Sequence, residues 1–230
     1  MGAKKEKILI YICKAPGCSE RAASQFGVYC HSHRSRQRRH GAIDQQAITK
    51  ADLKIYRHLV KRRIEKNKDK ELWSKLKTQW GAVIGDAQAV LDRWRSGNPM
   101  PSFKRIAALE LVKLSNAVQP EEVIETVLAM YLLQDQEPRK IKGDKAFQTQ
   151  MVRRVRGLTK LNAGVYSKDS TGKIKTAYKE LSPKAAEVLG RKLAAAFGPA
   201  GLVLARLERT DHEKRLRELT EYRQALGDLQ

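Results

Sequence analysis

Three cysteines and one histidine near the start of the chain have the spacing of a metal-ligand set. Four residues separate Cys13 from Cys18, eleven separate Cys18 from Cys30, and His33 lies three positions beyond Cys30. A Pro-Gly pair between the first two cysteines can form a turn that brings both sulfurs to one metal, and Cys30-x-x-His33 spans one turn at the start of a helix. Three thiolates and one imidazole form a tetrahedral donor set typical of structural zinc, so we expect one structural Zn²⁺ here.

Two other interpretations of this segment are open. His31 is a competing ligand, although its adjacency to Cys30 makes joint chelation awkward, and the three cysteines can also be unrelated free thiols. All three cysteines of the chain fall within eighteen residues, which favours the metal site. An odd number of cysteines excludes a complete disulfide framework and favours a reducing compartment. So short a segment cannot bury an adequate core alone, and a bound metal would supply its folding energy.

The ligand spacing and the residues that follow it resemble a known module. Cys-x₄-Cys-x₁₁-Cys-x₂-His, followed by Arg34-Ser-Arg-Gln-Arg-Arg-His-Gly41, is similar to the small treble-clef-like zinc module attached to many phage and bacterial HNH homing endonucleases. The resemblance covers residues 11–41. It implies that the three cysteines and His33 hold the metal. It also implies that the arginine-rich helix lies on duplex DNA and contacts it, phosphates first, through Arg34, Arg36, Arg38 and Arg39.

The catalytic residues of an HNH nuclease are not recognisable in this sequence. Such a site needs a general-base histidine, a positioning asparagine and a further histidine or asparagine for a divalent metal. Beyond residue 40 the histidines are His58 and His212. The sequence also has no Gly-rich phosphate loop and no paired carboxylates beside a histidine. We therefore expect a protein that is not an enzyme, with a divergent nuclease or a replication-initiation protein as the alternative.

The distribution of charge indicates a polyanionic partner. The chain has 46 Lys and Arg against 25 Asp and Glu, a net charge of +21, and its pI is about 10.1. Residues 1–80 carry twenty basic and seven acidic side chains, residues 81–137 carry five and eight, and residues 138–180 carry twelve and three. A merely solvated surface would intersperse the signs, so two basic blocks around an acidic middle favour a nucleic-acid interface.

Basic side chains outside the finger fall on two further segments. The helix behind the finger carries a stripe of cations that can follow a phosphate backbone, although a solvated face is the alternative: Arg57, Lys61, Arg62 and Arg63. Residues 102–180 have the element order of a winged-helix DNA-binding domain, which is helix, helix, basic helix and basic hairpin. In that arrangement the third helix enters the major groove and the hairpin grips phosphates, through Arg153, Arg154, Arg156, Lys173 and Lys175.

The hydrophobic periodicity predicts a mostly α-helical fold, with an N-terminal zinc finger and a multi-helix domain that contains one β-hairpin. Helix starts are expected at the Thr49–Asp52 capping box, near Lys70, at a Ser102 cap, at Pro120, near Asp144 and at Ser182-Pro183. Trp94 and Leu109 are expected to face inward. Residues 164–179 are expected to form the hairpin, and Gly198-Pro199-Ala200-Gly201 to end the sixth helix.

These elements divide the chain into four parts. Residues 1–45 form the zinc-finger module, residues 46–100 a basic helix and a long helix, residues 101–198 a helical domain with a basic helix and the hairpin, and residues 199–230 a charged terminal helix. The terminal helix has a short apolar stripe that favours a homodimer or a protein partner, formed by Leu216, Leu219, Tyr222 and Leu226.

The composition as a whole favours a zinc-containing, non-enzymatic DNA-binding protein of phage or bacterial type. Few aromatic residues interleave with the basic clusters, which favours duplex DNA over RNA, and an RNA-binding protein is the alternative. The longest apolar runs fall short of the roughly 18 residues that span a membrane, and Ile8–Ile12 is too short for the core of a signal peptide. We therefore expect no membrane partner and a cytoplasmic location, in a bacterial cell or a phage-infected host.

Overall fold

The computed structural model describes residues 11–167 and 174–227, except for the side chains of residues 166, 167, 175, 176 and 225–227. This part of the chain is mostly α-helical with one β-hairpin, as the sequence predicts. Its elements are α1 (His31–His40), α2 (Lys50–Lys66), α3 (Glu71–Arg95), α4 (Ser102–Ala117), α5 (Pro120–Gln136), α6 (Asp144–Arg156), β1 (Ala163–Ser167), β2 (Ile174–Tyr178) and α7 (Pro183–Gly227). The two strands are antiparallel, with Ala163 opposite Tyr178 and Ser167 opposite Ile174.

Helix α5 lies at the centre of the fold. Its residues 123–133 are all buried except Tyr131, which is partly buried. It packs against α2, α3, α6 and α7, and a helix that is apolar on all sides requires such partners. The predicted start is confirmed, because Pro120 is its first residue and Glu121 and Glu122 lie in its first turn, where acidic side chains complement the helix dipole.

Helix α7 continues through the glycines that were predicted to end it. It runs unbroken from Pro183 to Gly227, so the predicted break is wrong, and the predicted division at residue 198 falls inside a helix. A Cβ on Gly201 would lie 2.5 Å from Tyr131 Cδ2, so this glycine serves close packing of α7 on α5. Pro199 has no N–H group to donate to the carbonyl of Ala195, four residues earlier in the helix. Both residues are exposed, so water can bind this carbonyl instead.

One stretch of α7 is also apolar enough to cross a membrane by length and composition alone. Within Pro183–Gln224 an 18-residue window has a mean hydropathy of 1.3, and 44% of that window is buried inside the protein. A core helix meets the same criterion, and α7 packs against α3, α4, α5 and α6. The length and composition of this stretch are therefore weak evidence for a membrane span.

Three local predictions about α3 and α4 need correction. Ser102 is the first residue of α4 and makes no side-chain cap, because Pro101 occupies the cap position. Leu109 is 36% exposed and Trp94 is 40% exposed, so neither faces inward. Trp94 instead lies under the Arg105 guanidinium, 4.6 Å from its ring centroid, and this cation–π contact accounts for an aromatic ring at the surface.

The winged-helix prediction agrees with the element order but not with the packing. Helix α4 packs mainly against α3 and α7, and α6 packs against α5 and α7. Six residues of α6 are buried: Ala146, Phe147, Gln150, Met151, Val152 and Val155. The helix is thus a component of the core and is not free to enter a major groove along its length. Residues of α2 to α7 contribute to one hydrophobic core, so the predicted divisions near residues 100 and 198 do not separate packing units.

Candidate metal centre and basic surface

Four side chains at the N-terminus converge on one point. The ligand atoms of Cys13, Cys18, Cys30 and His33 all lie within 4.8 Å of one another. His33 Nδ1 is 3.3 Å from Cys30 Sγ and 3.5 Å from Cys13 Sγ, while His31 is exposed and lies outside this set. These four residues therefore lie close enough together to hold one metal ion, and the cysteines are not paired in disulfides.

The local backbone explains the convergence. An isolated antiparallel bridge joins Ile12 to Arg21, and the amide of Cys13 donates to the carbonyl of Glu20 at 2.9 Å. Cys30 is the N-cap of α1, and its sulfur accepts a hydrogen bond from the amide of His33. The bridge and the cap therefore bring ligands that are up to twenty positions apart in sequence to one centre.

The centre has the chemistry of a metal-binding site. Burial opposes ionisation of Cys13, but hydrogen bonds from the backbone of Cys30 and Ala15 outweigh it and lower its pKa to about 6. For Cys18, the hydrogen bond with the Glu20 backbone lowers the pKa. Burial and the neighbouring sulfurs of Cys13 and Cys30 outweigh it, so the pKa of the Cys18 thiol is raised. The thiolate is the form that ligates metal. The group can thus hold a metal ion, and a bound cation would favour thiolates at all three positions.

The residues around the centre form a small core of their own that is attached to the helical body. Cys13, Ala15 and Cys30 are buried together. Gly41 ends α1 with a φ of 95°, and a Cβ at this glycine would lie 2.7 Å from the Cα of Ala146 in α6. Only glycine combines this dihedral angle with so close an approach, so Gly41 sets how the finger meets α6.

Two fully buried glutamines complete the attachment. Gln45 Nε2 donates to the carbonyl of Lys140 and its Oε1 accepts from the amide of Lys142, both at 2.9 Å. Gln150 Oε1 accepts from the amide of Ile48 at 2.9 Å, and its Nε2 donates to the carbonyl of His40 at 3.2 Å. Each side chain therefore satisfies backbone groups about a hundred residues away in sequence.

This attachment places the finger arginines beside α6. Arg34, Arg36, Arg38 and Arg39 are all exposed. Arg34 and Arg38 line a groove of about 500 Å³ together with Lys145 of α6, which we call the α1 groove. On the neighbouring side, Arg39 and Arg153 both pair with Glu180, at 3.6 and 3.0 Å. The structure thus brings cations of both basic blocks onto adjoining surface.

The predicted cations of α2 are mostly engaged within the protein. Arg57 pairs with the buried Glu125 at 3.1 Å, and Lys61 lies 3.7 Å from the same carboxylate. Arg63 pairs with Glu208 and Asp211 of α7; burial opposes its charge, but these two partners raise the pKa of Arg63. Arg62 is exposed and has no ion pair among residues 11–167 and 174–227. Helix α2 therefore uses Arg57 and Arg63 to hold α5 and α7.

The predicted cations of α6 and the hairpin have different environments. Arg156 is 11% exposed and pairs at 2.9 Å with Glu110, which is 8% exposed, so this arginine holds α6 to α4. Arg153 and Arg154 lie in the last turn of α6 and are partly buried. Lys175 is in β2, where its backbone lies opposite Tyr166. Lys173 lies outside the described residues, as do Ile8–Ile10.

Several residues of this surface were not predicted from the sequence. Lys145, Lys50 and Lys179 are single lysines without a recognisable motif, and their role follows from the position of α6. Gln45 and Gln150 could not be recognised from local sequence either, because their hydrogen-bond partners lie about a hundred residues away. A polar residue on the inward face of the α6 helix pattern is the one local signal that could have indicated Gln150.

Models of protein families, curated proteins and solved structures were compared with this chain, and none of them matches it. The resemblance of residues 11–41 to the zinc module of HNH endonucleases is thus a prediction that these comparisons leave without support.

Proposed function

We propose that this protein is a non-enzymatic, zinc-containing protein that binds duplex DNA through α1 and the exposed N-terminal end of α6. Zinc would hold the finger in shape and would take no part in a reaction. Because the arginines of α1 and Lys145 of α6 are exposed, binding would rest on phosphate contacts and would be strongly salt-dependent.

The observation that carries this proposal is the α1 groove. It is lined by Arg34, Arg38 and Lys145, from sequence blocks about a hundred residues apart, and no carboxylate is among its lining residues in the described part of the chain. Cations placed on one surface without neutralising partners raise the local concentration of a polyanion and release its counterions on binding. The cations of α2 show the contrast, since Arg57 and Arg63 are neutralised by buried acids.

Zinc is the metal that fits the donor set best. Three thiols and an imidazole are soft and borderline ligands, which exclude Mg²⁺ and Ca²⁺ as natural occupants. A closed set of four protein ligands is typical of structural sites, whereas a catalytic zinc keeps a position open for water. Cys13, Cys18, Cys30 and His33 would hold the ion, and its binding free energy would contribute to folding of the finger.

Zinc content provides the first test. We expect the purified protein to contain one zinc ion per chain and Cys30→Ser to lose it, because one of three thiolates is removed. His31→Gln is the matched control, and it should keep the metal because His31 lies outside the ligand set. Loss of zinc in the His31 variant and its retention in the Cys30 variant would contradict this assignment.

Fluorescence anisotropy tests the DNA-binding proposal. The zinc-loaded protein would be titrated into labelled duplex DNA of about 30 base pairs, an RNA duplex of equal length and the single strands, at about 0.15 M salt. We expect the tightest binding to duplex DNA and no metal-dependent cleavage of a plasmid. Preference for the RNA duplex would favour an RNA-binding protein. Cleavage would favour a nuclease, and binding to none of these ligands would overturn the proposal.

A further inference from the structure

A second basic pocket lies at the C-terminal end of α6. It has a volume of about 120 Å³ and lies between α6, the start of α2 and the residues after β2. We call it the α6 pocket. Its charged lining consists of Lys50, Arg153, Arg154, Arg156, Lys179 and Glu180. Five cations thus face one carboxylate, in a space of the size of a single small anion.

Arg154 distinguishes this pocket from an ordinary basic surface. Its Nε atom is buried without a hydrogen-bond partner, and no carboxylate among residues 11–167 and 174–227 pairs with it. Burial and the adjacent Arg153 both lower the pKa of Arg154, yet arginine stays protonated in proteins. A partly desolvated cation without a partner lowers the stability of the fold, and an anion in the pocket would remove that cost.

The carboxylates near Arg154 are engaged by other groups. Asp52 attracts Arg154 electrostatically, but its carboxylate accepts hydrogen bonds from Thr49 and Lys140. Glu180 already accepts from both Arg153 and Arg39. Glu110 neutralises Arg156 from the core side of that residue. Lys50 and Lys179 are exposed and have no ion pair in the described part of the chain. The pocket therefore has a net positive charge, and Arg154 lies at its centre without an ion-pair partner among the described residues.

We propose that the α6 pocket binds a phosphate group, with Arg154 as its central ligand and Lys50 and Lys179 as its mobile ones. A guanidinium fork matches the oxygens of phosphate, and lysine side chains can adapt to their position. The phosphate can belong to a nucleic-acid backbone or to a small free compound. Binding of a nucleic-acid phosphate in this pocket rests on the proposed function, whereas binding of a small phosphate compound does not.

Thermal unfolding in phosphate tests the site itself. Zinc-loaded protein, free of excess metal, would be melted in inorganic phosphate and in chloride of equal ionic strength. We expect phosphate at about ten times its Kd to raise the Tm by about 3–6 °C, and Arg154→Gln to abolish this rise without lowering the Tm in chloride. Arg93→Gln is the matched control, since Arg93 is an exposed cation in the last turn of α3, and it should keep the rise.

The Tm of Arg154→Gln in chloride also tests whether Arg154 has a purely structural role. Arg154 lies in the last turn of α6, where a cation stabilises the helix dipole. If that were its whole function, Arg154→Gln would lower the Tm in chloride and keep the phosphate-induced rise, and this result would overturn the proposal. Absence of a phosphate-induced rise in the unmodified protein would overturn it as well.

Binding of duplex DNA by the Arg154→Gln variant identifies the source of the phosphate. Loss of one backbone contact should reduce the slope of log K against log salt by about 0.9, which would assign the pocket to DNA. An unchanged slope, together with loss of the phosphate-induced Tm rise, would assign it to a small phosphate compound. If the unmodified protein binds no nucleic acid but phosphate still raises its Tm through Arg154, the pocket stands and the proposed function fails.

Discussion

At the scale of single residues, the attachment between finger and helical body depends on Gln45 and Gln150. Both are 0% exposed, and a buried amide is retained only where its hydrogen bonds are satisfied. Their partners are backbone groups of the linker after α1 and of the segment before α6. The two side chains thus fix where the arginines of α1 lie relative to α6.

Substitution of Gln150 tests this attachment. Gln150→Met keeps the volume but leaves the Ile48 amide and the His40 carbonyl without their partner. We expect a loss of about 1–3 kcal/mol in the free energy of unfolding, measured by urea denaturation. Gln79→Met, at an exposed position of α3, is the control and should change stability by less than about 0.5 kcal/mol. Equal effects of the two substitutions would contradict the role given to Gln150.

At the scale of elements, α7 shows where local sequence signals fail. Gly198 and Gly201 are strong helix-ending signals, yet both are buried against Tyr131 inside a continuous helix. The need for close contact between α5 and α7 therefore outweighs the low helix propensity of glycine. Sequence periodicity cannot reveal this, because Tyr131 lies about seventy residues earlier.

Two glycine substitutions of opposite sign test that explanation. A Cβ at Gly201 would lie 2.5 Å from Tyr131 Cδ2, whereas a Cβ at Gly85 of α3 would have no neighbour within 4 Å. We expect Gly201→Ala to lower the free energy of unfolding by about 1–3 kcal/mol through overpacking. Gly85→Ala should raise it by about 0.5–1 kcal/mol through helix propensity. A stabilising Gly201→Ala would show that α7 does not approach α5 this closely.

The start of α2 is an element that the sequence does predict. The Thr49–Asp52 capping box is present with both of its hydrogen bonds, because its four residues act locally. Hydrogen bonds from the Thr49 side chain and backbone, joined by Lys140, lower the pKa of Asp52 to about 2. The folded state thus favours ionised Asp52, and this stabilisation is present above the unfolded pKa of about 3.9 and is lost as the pH falls towards 2.

The pH dependence of stability tests this box. Asp52→Asn should lower the free energy of unfolding by about 1–2 kcal/mol near pH 6. The difference from the unmodified protein should shrink to about half by pH 3, as the carboxylate of the unfolded chain takes up its proton. Asp69→Asn, at an exposed position after α2, serves as the control. A difference that stays constant from pH 6 to pH 3 would exclude a charge-based contribution of Asp52.

At the scale of the whole molecule, the sequence predicts the composition of the basic surface better than its arrangement. Helix content, the hairpin and the ligand set follow from local spacing. Assignment of arginines to ion pairs or to free surface does not, because Glu110, Glu125 and Glu208 reach their partners across 46, 68 and 145 positions. The fold thereby separates structural arginines, such as Arg63 and Arg156, from exposed ones, such as Arg34 and Arg38.

The salt dependence of binding to duplex DNA tests whether α1 and α6 form one phosphate-binding surface. We expect a steep slope of log K against log salt for the zinc-loaded protein. Replacing Arg34, Arg38 and Lys145 together by Gln should reduce that slope by up to about 2.7, or about 0.9 per phosphate contact. The control replaces three exposed cations outside this surface, Arg93, Lys104 and Arg217, and should leave the slope nearly unchanged. Equal slopes for the two triple variants would contradict a DNA-binding surface built from α1 and α6.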